Sequence, residues 1–458
     1  MTRWRAVLLV GVASHGAMYS MTGCGESAPE SKYPVVAPVS SASARPPVAE
    51  GAQIGLPPAP PSEGESLSPE AAAAYGRAFQ SWIAGDLGGA KQGFLDAASK
   101  ASRAGSPRYS LGCVLERLGD VTGALDAYRS AVDLDKKFDV ARGAYALLLA
   151  RTGHIADAER VVEASGVDSP RLMATRAEIR SLAGDSSGCQ QLAQEALAKQ
   201  PDSKDAMMVI ARDFYRTHRW DLARYALLAI LDGTADGAIP ARDPGNPEAL
   251  LLRALIERDT MGDRKKALQD FEAAAAKRPD MVEAFINLGE MKLEAGNAGE
   301  AQEPLERAVK FAPDVALGHL DLGDCYRVLG RVADSKRELD KAISLDSTLA
   351  GVHYDLGLMY LFSQNVPGVA NPDDQLTKAI GELETYRTMR NARTPKGQGG
   401  GDDVDELLST ARRKQSELRM KNAPPADSSS VPASPSPSSS ASSPPAASSG
   451  TVQPQVVK

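Results

Sequence analysis

Aromatic residues are scarce: Phe, Trp and Tyr together make up 5% of 458 residues. That scarcity excludes barrels and cages with aromatic walls and fits a core of Ala and Leu packed between helices. Four cysteines cannot staple a chain of this length. An excess of positive charge is missing as well, since 52 Lys and Arg stand against 59 Asp and Glu. Nucleic acid is therefore not an expected partner. After residue 25 no run reaches the roughly 18 uninterrupted apolar residues of a membrane-spanning helix. Catalytic motifs are absent too: there is no HExxH helix, no GxSxG elbow and no Gly-rich loop ending in Lys-Ser or Lys-Thr. Lys396-Gly397-Gln398-Gly399-Gly400-Gly401 has neither a preceding strand nor that ending, so it reads as a hinge. No cofactor, metal or small-molecule substrate is expected. An enzyme would need a catalytic domain, and nothing outside the repeats described below is long enough to be one.

What is present begins with Arg3 and Arg5 before a short apolar stretch, Ala6 to Ala13, the layout of a secretory signal. Met21-Thr22-Gly23-Cys24 follows, and it resembles the bacterial lipobox, with Met21 in place of the usual Leu and His15 interrupting the apolar run. The resemblance implies that residues 1–23 are removed and that Cys24 is diacylated as the new N-terminus. The plainer reading is a signal peptide with an incidental Cys. Gly25 rather than Asp after the lipidated position implies sorting to the outer membrane, facing the periplasm. More than one acyl chain anchors a protein stably where one does not.

Residues 24–68 read as a disordered tether, with nine prolines among Ser, Ala and Gly and no apolar periodicity. Residues 422–458 read as a disordered tail; Ser, Pro and Ala fill 25 of its 35 positions from 424 onward. The tail is either a passive spacer or a segment that spans the wall or binds a partner. Between these ends the sequence repeats. A small residue recurs at Ala90, Ala124, Ala158, Cys189, Ala223, Ala267, Ala301 and Ser335, at intervals of 34, 34, 31, 34, 44, 34 and 34. Gly85, Gly119, Gly153, Gly184, Gly262, Gly296 and Gly330 each lie five residues earlier.

This 34-residue period resembles the tetratricopeptide repeat, a pair of antiparallel helices. Phe285, Leu288, Gly289, Gly296, Ala301, Leu305, Ala308 and Pro313 fill its pattern in residues 282–315, and Leu322, Gly323, Tyr326, Gly330, Leu339 and Ala342 do so in residues 316–349. The fold class implied is all-α: a right-handed superhelical solenoid of about nine tetratricopeptide helix pairs over residues 69–390. A Gly-rich linker (391–403) and a C-terminal capping helix (404–421) follow, with Leu407, Leu408, Ala411 and Leu418 on one face behind Asp402-Asp403. Two intervals carry inserts, Gly233 to Pro247 and Ser363 to Asp374, the second delaying a helix around Ala379. Each is either neutral loop growth or a recognition loop.

His319 and His353 stand 34 apart and read as core substitutes for an aromatic, with no zinc role. Cys113, Cys189 and Cys325 fall in non-adjacent repeats and read as small buried residues without disulfides. The first helices should line a concave surface. In the late repeats they offer Leu252, Ile256, Ile286, Glu290, Leu320, Asp324, Tyr354, Leu358 and Phe362 as a partner-binding groove. An apolar strip edged by acids suits an amphipathic helix or an extended peptide with basic residues. Alternatively, some of these positions pack under the terminal helix. Repeat domains that clamp a C-terminal carboxylate use an Asn here, whereas Gly289, Gly323 and Gly357 are followed by Glu290, Asp324 and Leu358.

The layout as a whole resembles the tetratricopeptide lipoproteins of the adventurous gliding motility machinery. The resemblance is carried by HYDLGLMYLFSQNVPG from His353, ELETYRTMR from Glu382 and DDVDELLSTARRKQSEL from Asp402. It implies a place in a trans-envelope complex, with other envelope proteins as partners. A pilotin or outer-membrane assembly lipoprotein for a pilus or secretion system shares the anchor and the repeats and is the alternative.

Overall fold

The computed structural model describes residues 57–59, 65–166, 169–233, 240–393 and 403–422. The expected signal peptide with Cys24, most of the tether, most of the glycine linker, and the tail beyond residue 422 lie outside the described residues.

Nineteen α-helices and no strand occur among the described residues. They form nine antiparallel pairs and a terminal helix. Pair one is Pro69–Ile83 (α1) with Leu87–Lys100 (α2), and pair two is Ser106–Arg117 (α3) with Val121–Leu134 (α4). Pair three is Asp139–Arg151 (α5) with Ile155–Glu163 (α6), and pair four is Pro170–Leu182 (α7) with Ser186–Lys199 (α8). Pair five is Lys204–Arg216 (α9) with Trp220–Leu231 (α10). Pair six is Pro247–Ile256 (α11), prolonged by a π-turn over Glu257–Met261, with Arg264–Lys277 (α12). Pairs seven and eight are Val282–Glu294 (α13) with Ala298–Phe311 (α14), and Ala316–Val328 (α15) with Val332–Leu345 (α16). Pair nine is Ala350–Phe362 (α17) with Pro372–Arg393 (α18), and Val404–Asn422 (α19) ends the array.

The periodic glycines have a geometric reason. All seven sit at the turn inside a pair in the left-handed region, with φ between 70° and 85°. Pair five lacks the glycine, and His218 occupies that slot at φ 57°. A second glycine series lets the two helices of a pair approach: a Cβ on Gly323 would stand 2.7 Å from Leu339, and one on Gly357 2.6 Å from Leu383. Asp86, Asp120, Asp185 and Asp263 cap the second helices of their pairs through the backbone N–H three residues on.

The C-terminal end is closed. Helix α19 lies antiparallel on α18, with Arg419 on Asp373 at 2.7 Å near one end and Arg387 on Asp405 at 3.2 Å near the other. Val404, Leu407, Leu408 and Ala411 are buried with Ala379 and Leu383, while Leu418 is half-buried. The second insert is folded down: Val366 enters this core, and the Gln375 side chain donates to the Tyr360 and Ser363 carbonyls at 2.7 and 2.8 Å. His319 is buried, its ring bonded to Glu338 and to the Pro313 carbonyl, and His353 is half-buried against Glu382. Cys113, Cys189 and Cys325 are free and buried, and burial pushes their thiols up to about 12, 12 and 11.

The array also meets itself. A Cβ on Gly85, in the turn of pair one, would stand 3.1 Å from Lys310 in α14. One on Gly119, in the turn of pair two, would stand 3.2 Å from Asp314, after α14. The turns of the first two pairs therefore rest on the far end of the same superhelical turn.

Candidate partner-binding surface

The first helix of each pair contributes one equivalent inward position: Tyr75, Tyr109, Gly143, Ala174, Met208, Leu252, Ile286, Leu320 and Tyr354. What each can do depends on the helix beside it. In the late pairs glycines on the following helix let neighbours close in. A Cβ on Gly318 would meet Ile286 at 3.7 Å, and one on Gly351 would meet Leu320 at 3.1 Å.

The expected late-repeat groove is therefore not an open apolar strip. Leu252, Ile256, Ile286, Leu320 and Leu358 are all buried. The two acids that were to edge the strip are already paired, Glu290 with Arg258 at 3.4 Å and Asp324 with Arg327 at 3.0 Å. Tyr354 is half-buried; its hydroxyl donates to Asp403 at the head of α19 at 2.8 Å, and its ring lies 5.0 Å from that of Tyr386. Phe362 alone is open, 49% exposed, with the Lys414 ammonium 5.1 Å from its ring. Sequence spacing put these side chains on the inner face but could not show how tightly the next helix covers it.

The open part of the inner face lies earlier. Where the inward position shrinks to Gly143 and Ala174, a cleft of about 220 Å³ runs across α5, α7, α9 and the start of α11. Val140, Leu147, Thr175, Met208, Arg212 and Glu248 line it. Its wall is a chain of ion pairs. Arg212 bridges Glu178 at 3.0 Å and Glu248 at 3.2 Å, and Arg216 also holds Glu178. Arg171 faces Asp205 at 3.3 Å, and Lys204 faces Asp243 at 3.0 Å. Burial would raise the Glu178 carboxyl, but the two guanidiniums outweigh it and hold it below the ordinary carboxylate value. A cleft of alternating, mutually satisfied charges over a small-residue floor can accept an extended chain without stranding a buried charge. A second hollow of about 320 Å³ lies at the turns of pairs five and six, among His218, Trp220, Leu222 and Met261. It is formed by the connecting edge of the array, not by the aligned inner helices, so the first cleft is the better candidate. The signal for it in the sequence was the loss of side-chain volume at Gly143 and Ala174.

Two sequence models of the tetratricopeptide repeat match the chain, one over residues 253–315 and 292–350 and the other over residues 106–138. These segments are tetratricopeptide repeats. The matched repeats cover pairs two, seven and eight and most of pair six; pairs one, three, four and five share their left-handed turn, and pair nine stacks on pair eight with its insert in place of that turn. No curated protein matches the chain. Among solved structures, MamA is similar over 38% of this chain and 96% of its own, at 15% identity and a TM-score of 0.31. PilW, described as a widely conserved type IV pilus biogenesis factor, is similar over 49% and 94%, at 17% identity and a TM-score of 0.35. A tetratricopeptide repeat protein from Parabacteroides merdae is similar over 75% and 100%, at 14% identity and a TM-score of 0.28. Likeness of this degree assigns no partner.

Proposed function

We propose that the chain is a lipid-anchored periplasmic scaffold of a cell-envelope machine, the gliding motility complex, and that it captures an extended segment of a partner protein. The observation that carries the capture is the cleft over Gly143 and Ala174 on the inner face. The lipobox around Cys24 and the three C-terminal segments that resemble the motility lipoproteins support the anchoring and the machine. Arg171 and Lys204 are exposed residues of the cleft wall, so Arg171→Glu with Lys204→Glu should reverse its charge without touching the core. In cross-linked envelopes this double variant should recover at least tenfold less partner at an unchanged helical melt. Undiminished recovery would place capture elsewhere. Cys24→Ser should release the protein from the outer-membrane fraction. A tagged chain should form foci that stay fixed to the substrate in moving cells, whereas static polar rings would indicate a pilus or secretion assembly.

A further inference from the structure

The inner face of the first two pairs is already occupied, and by the chain itself. The Tyr109 hydroxyl donates to the Pro57 carbonyl at 3.2 Å, and the Tyr75 hydroxyl donates to the Ala59 carbonyl. Pro58, between them, is buried. The Glu65 carboxylate accepts from the Ser106 N–H at 3.2 Å and from its hydroxyl, at the first turn of α3. Ala59 and Leu67 pack against the core of these pairs.

Each contact selects a chemistry. A Pro-Pro-Ala segment favours the extended polyproline conformation, whose carbonyls lack internal partners and whose fixed φ reduces the cost of ordering. Hydroxyl donors set in an aromatic wall suit such carbonyls. Burial raises both tyrosines well above their ordinary value, so they remain protonated donors at physiological pH. The two donors stand on adjacent first helices, 34 residues apart, and the ladder ends there because Gly143, Ala174 and Met208 follow in the same position. The triplet itself recurs in the chain, at Pro424-Pro425-Ala426 and Pro444-Pro445-Ala446.

We infer that the inner face of pairs one and two is a binding site for extended Pro-Pro-Ala segments, and that Pro57–Ala59 is its resident, displaceable ligand. Covalent attachment gives the resident a high effective concentration, on the order of millimolar for a short connection. A ligand supplied in trans therefore binds only when the resident is weakened. This site is separate from the cleft over pairs three to six, so either reading can fail without the other.

The test uses the full chain carrying Cys24→Ser and a fluorescein-labelled peptide with the sequence of residues 56–67, read by anisotropy. Pro58→Asp should evict the resident and bind the peptide at least tenfold more tightly than the otherwise unchanged chain. Adding Tyr75→Phe and Tyr109→Phe to Pro58→Asp should remove that gain. A folded Pro58→Asp chain that binds no better overturns the proposal, because the segment is then a permanent cap on the array. If Pro58→Asp unfolds pair one, the decision passes to glutamyl endopeptidase cleavage after Glu65 in a chain with the native segment. Tyr109→Phe, which keeps the Tyr75–Ser110 hydrogen bond at 2.6 Å, should speed that cleavage at least tenfold at an unchanged melt, and unchanged cleavage overturns the proposal.

Discussion

Arg117 and Asp280 are 163 residues apart, yet the Arg117 guanidinium donates to the Asp280 carbonyl at 3.3 Å. The bond joins the end of α3 to the loop before α13 and, with the Lys310 and Asp314 contacts at Gly85 and Gly119, closes one superhelical turn on itself. Arg117 also draws on the buried carboxyl of Glu283.

Arg117→Ala should open this turn. The loss is one charge-assisted hydrogen bond and the partner of a buried acid, about 1–3 kcal/mol. Small-angle scattering should show a larger radius of gyration while circular dichroism shows unchanged helix content, since each pair keeps its own packing. An unchanged radius would mean that stacking of consecutive pairs alone sets the closure.

Two buried glutamates should respond to pH with opposite sign. Burial raises the Glu283 carboxyl above its ordinary value, Arg117 and Arg278 only partly opposing, and Glu283 Oε2 has no hydrogen-bond partner among the described residues. Its contribution to stability is present below the ordinary glutamate range and is lost as pH rises through the raised value. The Glu178 carboxyl is held low, so its contribution is present above that range and is lost as pH falls through the lowered value. At pH 7, Glu283→Gln should therefore stabilise by about 1 kcal/mol, and Glu178→Gln should destabilise by about 1–3 kcal/mol. Urea midpoints across pH 3–8 measure both, and equal signs at pH 7 would refute the assignment.

At the C-terminal end, Tyr354 and Phe362 should separate cleanly. Tyr354→Ala removes a hydrogen bond to Asp403 and a ring contact with Tyr386, and should cost about 2–4 kcal/mol and loosen α19. Phe362→Ala alters an exposed ring and should change stability by less than about 0.5 kcal/mol. Hydrogen exchange over residues 404–422 reads the difference directly.

His218 carries a left-handed backbone where seven other pairs carry glycine. His218→Gly should relieve about 1 kcal/mol of strain, less whatever is lost from its ring contact with Trp220 at 5.0 Å. A thermal melt that falls would show that the ring contact outweighs the strain.

The repeat register was legible from residue spacing because each determinant acts within one pair. A turn glycine, an Asp cap, a glycine facing Leu339 and an apolar stripe are all satisfied within about 34 residues, so Gly296, Gly323 and Ala301 record the fold locally. The delayed helix near Ala379 and the closing helix at Val404 were legible for the same reason. The end of the tether has no apolar periodicity, and its sequence predicts no structure there. Pro57–Ala59 is nonetheless seated, because its hydrogen-bond partners lie on α1 and α3 and not within the segment.

Which part of the inner face stays open was decided only in three dimensions. Ile286 and Leu320 look like exposed anchors by register, but Gly318 and Gly351 on the next helices let the backbones close over them. Gly143 and Ala174 look featureless and leave the cleft. Exposure is a property of the gap between neighbouring helices, set by the sum of side chains from both sides. The sequence by itself determined the pairs, their turns and their order. The closed turn through Arg117 and Asp280, the seated Pro-Pro-Ala segment and the position of the cleft depend on contacts between residues far apart in the chain, which no local pattern encodes.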